Sequence, residues 1–423
     1  MSHKITTCHS TGMSLKRPTN TTYKPDHTMR NICLSFLMVA AIFTSCTIDE
    51  PSIDNTDEFF QKFVGGASRE ELSTVHALSD GGQIVLATKN PNNTLTSSYF
   101  LFRTDAYGNT DWFREIGTNH AAVASDMIVQ DQSIIIAGHM TTSNGDQDLV
   151  LWKTDLEGND IDSLSLGIAG ANEVLPKIMR LEEGVGYVVA AQISNGNDIT
   201  DNIVYLLDAN DYSTIWKTSY GLLSTNANVV GLAQVATDRI LWVGSQNSST
   251  ETETSVSLNV LNTSGLKVST TQIGLNNNKQ DKAYTLSSDF GSYLISGSTT
   301  ANGETSGMLV QFSYRNGVQI NNLLTNERSS SYELFHAISS PTGGYYVTGY
   351  QSTGPENKDI YLSKWSREGA IDWETSFGGN GDDIGHVISI TAQDHLLVHG
   401  TANVVTNQSI TILQTTDKGK MFE

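Results

Sequence analysis

Cysteine is absent from everything after residue 46, the only three in the chain being Cys8, Cys33 and Cys46. A disulfide framework and a cysteine-based zinc site are thereby excluded from the body of the protein. Charge is also scarce, at 17% of residues, and it is one-sided, with a net of -20. A nucleic-acid backbone or an anionic membrane face is therefore repelled. The acidity is spread over many loops and serves solubility. No stretch after residue 57 carries sustained helical periodicity, which excludes helical solenoids. Enzyme signatures are missing too: there is no Gly-x-Ser-x-Gly elbow, no His-Glu-x-x-His and no phosphate-binding loop. What fills the space is Gly, Ser, Thr and Asn, which suits many short strands joined by polar turns.

The first 57 residues have a separate logic. Residues 1–28 are polar and patternless, and are expected to be a disordered extension ahead of a start at Met29. Arg30 then precedes an apolar stretch, Ile32 to Phe43, too short to span a bilayer as a stable helix. Phe43-Thr44-Ser45-Cys46 resembles a bacterial lipobox, although Phe43 and Ser45 depart from its commonest residues. The resemblance implies a signal peptide over 29–46 and lipid attachment at Cys46. Residues 47–57 form a short acidic tether, similar to the surface-export signals of some outer-membrane lipoproteins. The implied address is the outer membrane, reached through the lipid anchor alone.

From residue 58 onward the chain repeats itself. A β-rich run ends in Gly or Ala, as in Gly343-Gly344-Tyr345-Tyr346-Val347-Thr348-Gly349. The terminal positions are Ala87, Gly138, Ala191, Gly244, Gly297, Gly349 and Gly400, at steps of 51 to 53 residues. Each unit has room for four short strands. Its last two are joined by a turn with Asp or Ser early and Gly late, such as Asp105-Ala106-Tyr107-Gly108 or Ser366-Arg367-Glu368-Gly369. The early side chain caps the turn and the glycine accepts positive φ. Four strands in about fifty residues match one blade of a β-propeller. The expectation is an all-β, seven-bladed propeller over 58–423.

The two ends of the chain complement each other. The last repeat stops after Asp417-Lys418-Gly419-Lys420-Met421-Phe422-Glu423, where a fourth strand is due. The missing piece stands at the other end as Phe59 to Gly66, with Phe59 to Val64 expected to pair beside Thr411 to Thr415. Phe60 aligns with Trp373 and Gly65-Gly66 with Gly378-Gly379. The N-terminal strand is thus expected to complete the last blade and close the ring, leaving no bare sheet edge. Trp112, Trp216 and Trp373 each stand five residues before a glycine, and are expected to pack between blades. This pattern resembles the bacterial β-propeller repeat families often found in lipoproteins, of the SBBP and quinoprotein-like types. It implies fold and export more than a reaction.

Candidate site residues are few. Three histidines, His76, His336 and His386, precede similar segments on blades one, six and seven. They suggest either a small metal or ligand site near the channel, or a first-strand position that tolerates His, held elsewhere by Asp126 and Tyr284. Asn144 to Asp148, Asn195 to Asp198 and Gly379 to Asp383, with Asp382 and Asp383, are rich in oxygen ligands that calcium takes. None has EF-hand spacing and turns use the same residues, so no cofactor is expected. The two-to-three loops, including 298–307 and 350–359, are expected to be long and polar and to form the binding face. The expected function is a monomeric, non-catalytic cell-envelope lipoprotein that binds an envelope protein or a glycan. One alternative is a propeller enzyme acting on polysaccharide through carboxylates converging on the channel; another is a purely structural envelope component.

Overall fold

A computed structural model describes residues 59–423, except 94, 119–120, 195–199, 221–226, 248–252, 275–279, 290, 329, 355–356, 405–406 and 422–423. Cys46, the signal segment and the tether lie outside the described residues. There are 28 strands and one short 3-10 turn at Glu182–Gly184, with no α-helix among the described residues.

The described residues open with a lone strand, β1 (Phe60–Val64), and then run in groups of four. The first sheet is β2 (Glu70–Ala77), β3 (Gln83–Lys89), β4 (Ser98–Thr104) and β5 (Thr110–Ile116). The second is β6 (Ala122–Gln130), β7 (Ser133–Thr141), β8 (Gln147–Asp155) and β9 (Asp160–Leu166). The third is β10 (Asn172–Arg180), β11 (Gly186–Ser194), β12 (Thr200–Asp208) and β13 (Thr214–Tyr220). β14 (Gly231–Ala236), β15 (Arg239–Asn247), β16 (Thr254–Asn262) and β17 (Lys267–Ile273) make the fourth. β18 (Gln280–Asp289), β19 (Ser292–Ala301), β20 (Glu304–Tyr314) and β21 (Val318–Thr325) make the fifth, joined to the fourth by one parallel contact of Thr254 with Gln280. The sixth is β22 (Tyr332–Ser339), β23 (Tyr345–Gly354), β24 (Asn357–Trp365) and β25 (Ile371–Phe377). The last three strands, β26 (Ile384–Ile390), β27 (Leu396–Val404) and β28 (Asn407–Thr415), take β1 as their fourth, with Phe60 opposite Gln414 and Val64 opposite Ile410.

Within each sheet the strands are antiparallel, as two-sided burial between hairpin-linked neighbours requires. The first strands touch in series from β2 through β6, β10, β14, β18, β22 and β26, and β26 touches β2 again. The second strands are the most deeply buried and read as apolar runs, for example Ile134 to Ala137 and Leu241 to Val243. Apolar clusters form between consecutive sheets. One joins Ile84 and Tyr99 to Ile134 and Ile136, another joins Tyr346 and Ile360 to Val398 and Leu413, and a third joins Phe60 and Ile412 to Leu72 and Val85.

Two sequence features now have a physical cause. The repeat-ending glycines sit under the carbonyl of the neighbouring first strand: a Cβ on Gly349 would collide with the Glu333 carbonyl, and one on Gly244 with that of Asn228. The outer-strand aromatics press on the turn glycine of the following sheet. A Cβ on Gly158 would lie 2.9 Å from the Trp112 ring, on Gly265 2.9 Å from Trp216 and on Gly419 2.6 Å from Trp373. Phe60 holds the same relation to Gly108, at 2.6 Å. The turns form as their residue types dictate: Asp105 Oδ1 accepts from the amides of Tyr107 and Asn109 at 2.9 and 2.8 Å, and Gly108 has φ +72°.

The long two-to-three loops expected at 298–307 and 350–359 are largely strand instead. β19 and β20 stay paired as far as Ala301 with Glu304, and reverse over Asn302 and Gly303 at φ 54° and 84°. Two consecutive left-handed residues match the right-handed twist of the flanking strands, so pairing continues to the tip.

Candidate functional site

Six of the seven first strands carry a β-bulge near their start; β14 has its register shift at its end, between Gln234 and Ala236. The pairing shifts between Leu72 and Thr74, Ala124 and Asp126, Ala283 and Thr285, Leu334 and His336, and Gly385 and Val387. The extra residue is Ser73, Ser125, Tyr284, Phe335 or His386, and in the third sheet both Leu175 and Pro176 are bypassed. A bulge leaves its residue out of the ladder and re-aims the side chain.

In three sheets the residue after the repeat-ending Gly or Ala is a clamp onto the next sheet. Thr88 Oγ1 accepts from Ala124 N at 2.9 Å, His139 Nδ1 from Leu175 N at 3.4 Å, and Ser245 Oγ from Ala283 N at 2.8 Å. Ser245→Ala strands the buried Ala283 amide, and is expected to cost about 1–3 kcal/mol in a urea-unfolding comparison at pH 7.

Three consecutive sheets place rings at the bulge. Tyr284 and Phe335 stack with centroids 4.5 Å apart and planes 6° apart, and His386 meets Phe335 edge-on at 5.2 Å. Tyr350, the residue after Gly349, stands 6.1 Å from Phe335 and carries Lys358 Nζ 4.3 Å above its ring. The Tyr284 hydroxyl donates to Glu333 Oε2 and lies 3.2 Å from Ser298 Oγ. Burial, then the charge of Glu333, raises the Tyr284 and Tyr350 phenols well above their ordinary value. Tyr284, Phe335 and His386 nevertheless keep part of their surface exposed. Beside Tyr284 opens a hollow of about 220 Å³ lined by Gln192, Asn228, Ser245, Asn247 and Lys282. The ensemble offers apolar ring faces next to amides and hydroxyls that both donate and accept.

The three histidines of the sequence pattern occupy different registers. His386 is a bulge residue, His336 follows a bulge, and His76 lies two places further along, opposite Ile84. The bulge absorbs a residue that plain spacing does not count. His336 accepts from Ile388 N at 3.3 Å, the relation Asp126 has with Ile178 N at 3.0 Å, so both tie first strands together. Burial pushes the imidazole pKa values of His336 and His386 down to about 4. His386 Nε2 is 3.3 Å from Thr401 Oγ1, and burial lowers His76 as well. Asp383 accepts from Gly379 N and Asn403 N at 2.8 and 2.9 Å, pinning the loop into β26. Glu70 takes Gly66 N at 3.4 Å in the same manner. Asp382 is half-buried, and its backbone forms an isolated parallel β-bridge with that of Lys358. Among the described residues no group of three or more His, Cys, Asp or Glu side chains is placed to hold a metal ion; Asn195 to Asp198 lie outside them. The aromatic row was missed by motif reading, although Tyr284, Phe335 and His386 recur at a constant step of 51 residues.

The four-stranded sheets with their first strands innermost define a β-propeller. No known protein family matches the chain, and no curated protein does. Among solved structures it is similar to puromycin hydrolase, at 11% identity and a TM-score of 0.51 over 84% of this chain and 54% of that one. The acylaminoacyl peptidase of Pyrococcus horikoshii aligns at 11% identity and a TM-score of 0.47, over 84% of this chain and 52% of that one. The β-propeller domain of the Trilobed protease from Pyrococcus furiosus aligns at 10% identity and 0.47, over 84% and 98%. The chain thus spans about half the length of the two longer enzymes, and the likeness is one of fold.

Proposed function

We propose that the sheets close into a single seven-bladed ring and that the ring is a non-catalytic, glycan-binding platform of the cell envelope, held to the outer membrane by lipid on Cys46. Closure is supported by the pairing of β1 with β28 and by the contact of β26 with β2. The seam is also fastened by Phe59 against His395 at 4.9 Å and by Asn407 Nδ2 donating to Ala67 O at 2.9 Å. The anchor reading rests on the lipobox-like Phe43 to Cys46, and the kinship with bacterial lipoprotein propeller repeats on the sequence pattern.

The observation that carries the binding reading is the row Tyr284, Phe335 and His386 beside an amide-lined hollow. A pyranose has an apolar C–H face and a rim of hydroxyls. Ring faces cover the first, and Asn, Gln and Ser side chains satisfy the second. The test is isothermal titration of the protein with oligosaccharides released from the native envelope, beside Phe335→Ala. The expected result is binding in the parent, weakened tenfold or more in the variant, with the sugar recovered intact. Equal binding by both proteins contradicts the site. Cleaved sugar favours the enzyme alternative, for which Glu333 and Asp382 are the carboxylates whose charges reach Tyr350.

A further inference from the structure

The outer strands of the sheets differ at one register position, the pair just before the bulge that leads into the turn. Trp112 stands there opposite Arg103, Trp216 opposite Leu206 and Trp373 opposite Lys364. In the fifth sheet the residue is Asn322, opposite Gln311. Tryptophan in this place fills the gap to the next sheet, as its contact with the turn glycine shows. Asp162 in the second sheet and Ser269 in the fourth also lack the ring, but beside Asp162 Tyr212 of the third sheet leans into the gap and leaves only about 20 Å³. At Asn322 no ring substitutes: the turn glycine Gly369 is met by the aliphatic Leu324 instead, whose atoms would lie 3.4 Å from a Cβ there. A cleft of about 630 Å³ opens between the fifth and sixth sheets, at the end of the strands opposite to the aromatic row. That volume falls among those of ordinary small-molecule sites.

Its walls have one chemistry. Asn322 Nδ2 donates to Gln311 Oε1 at 3.1 Å, and Gln311 Nε2 donates to Ser292 Oγ at 3.3 Å. The relay leaves the Asn322 carbonyl oxygen available among the described residues. Across the cleft, Gly343 and Gly344 take φ +93° and +76°, and a Cβ on Gly344 would strike the Trp365 carbonyl. Glycine there gives a wall of bare backbone, and Tyr345 lies beside it. Arg367 stands at the edge on the sixth-sheet turn, exposed, with no ion pair among the described residues. The neighbouring Glu368 is turned onto Ser366 Oγ at 3.0 Å. In a chain of net charge -20, an unpaired guanidinium on a neutral, amide-lined cleft is the local exception.

We propose that this cleft is a second binding site, for a saccharide bearing a carboxylate. Amides and hydroxyls that both donate and accept suit sugar hydroxyls, and the planar guanidinium fork matches a carboxylate through two parallel hydrogen bonds. The walls are mostly polar, with Pro341 and Tyr345 as their apolar members, which suits a sugar better than an apolar peptide side chain.

The test uses the full-length protein and a trigalacturonate probe, with its methyl ester as the uncharged counterpart, in calorimetric titration. The acid is expected to bind and the ester to bind at least tenfold more weakly. Arg367→Ala should remove that preference, lowering acid affinity to the level of the ester. Asn322→Trp, which installs the residue found at this position in three other sheets, should abolish binding of both with no fall in Tm. Phe335→Ala should bind the acid as the parent does, so a failed aromatic-row reading leaves this result standing. The proposal is overturned by equal affinity for acid and ester, by no binding at millimolar probe, by Arg367→Ala keeping the preference, or by loss of acid binding in Phe335→Ala.

Discussion

A chain lacking residues 58–66 is expected to lose cooperative unfolding and to expose its apolar interior to a fluorescent dye at pH 7. The deletion takes away β1, bares the edge of β28, and uncovers the cluster that holds Leu72, Val85, Ile410 and Ile412. A bare strand edge next to an opened core is also a template for aggregation. The single change Phe60→Ala isolates the packing part. Phe60 is 6% exposed, belongs to the cluster between the last and first sheets, and lies against the turn glycine Gly108. Truncating a buried phenylalanine costs about 3–5 kcal/mol, a large share of the roughly 5–15 kcal/mol by which native proteins are stable. Urea midpoints of parent, point variant and deletion give the order directly. An unchanged midpoint in the deletion would remove β1 from any structural role.

His399→Leu is expected to stabilise the protein, and by more as the pH falls. His399 is 0% exposed, and neither ring nitrogen has a hydrogen-bond partner among the described residues. Burial pushes its pKa down to about 3. The unfolded chain, with an ordinary pKa of about 6.5, takes up the proton first. The native state therefore has its full stability above about pH 6.5 and loses it as the pH falls towards 3, at about 1.4 kcal/mol per unit. Leu86 occupies the corresponding place in the first sheet, opposite Thr74 as His399 is opposite Val387, so the leucine has a precedent in the fold. Between pH 6.5 and 4.5 the advantage of the variant should grow by about 2 kcal/mol. Urea unfolding of both proteins at the two pH values checks this. A difference that does not change with pH would mean that His399 is not neutral in the fold. Glu173 has the opposite sign: burial, then Asp148, raises it to about 7, so its contribution is lost as the pH rises.

The parts of the fold that could be read in advance are those enforced by local contact. The repeat-ending glycine recurs because a side chain at Gly349 or Gly244 would meet a backbone carbonyl. The turn signature recurs because Asp105 and Asp155 each bind two amides within the next four residues. The tryptophans were expected to pack between blades, and they lie against turn glycines. The seam strand was found because Phe60 copies the place of Trp373. The bulges were not legible: they consume one residue in most first strands and two at Leu175 and Pro176, with no marker in the spacing. That is why His76, His336 and His386 looked equivalent and are not. Likewise, Asp382 and Asp383 stood together as candidate ligand residues, whereas backbone amides claim Asp383 alone. The aromatic row depends on contacts between three sheets, and the cleft on a missing ring, which no local motif announces.

The ring's closure can be tested at one pair of positions. Phe63 and Thr411 lie opposite each other on β1 and β28, and the chain after residue 46 has no cysteine of its own. Phe63→Cys with Thr411→Cys, in the chain from residue 47 onward, brings two thiols within the span of a cross-strand disulfide. On mild oxidation of dilute protein, mass spectrometry of the digest should find the peptide holding position 63 joined to the one holding position 411 in the same monomer, with a raised Tm. Free thiols in a folded monomer, or cross-linked dimers only, would contradict the closed ring.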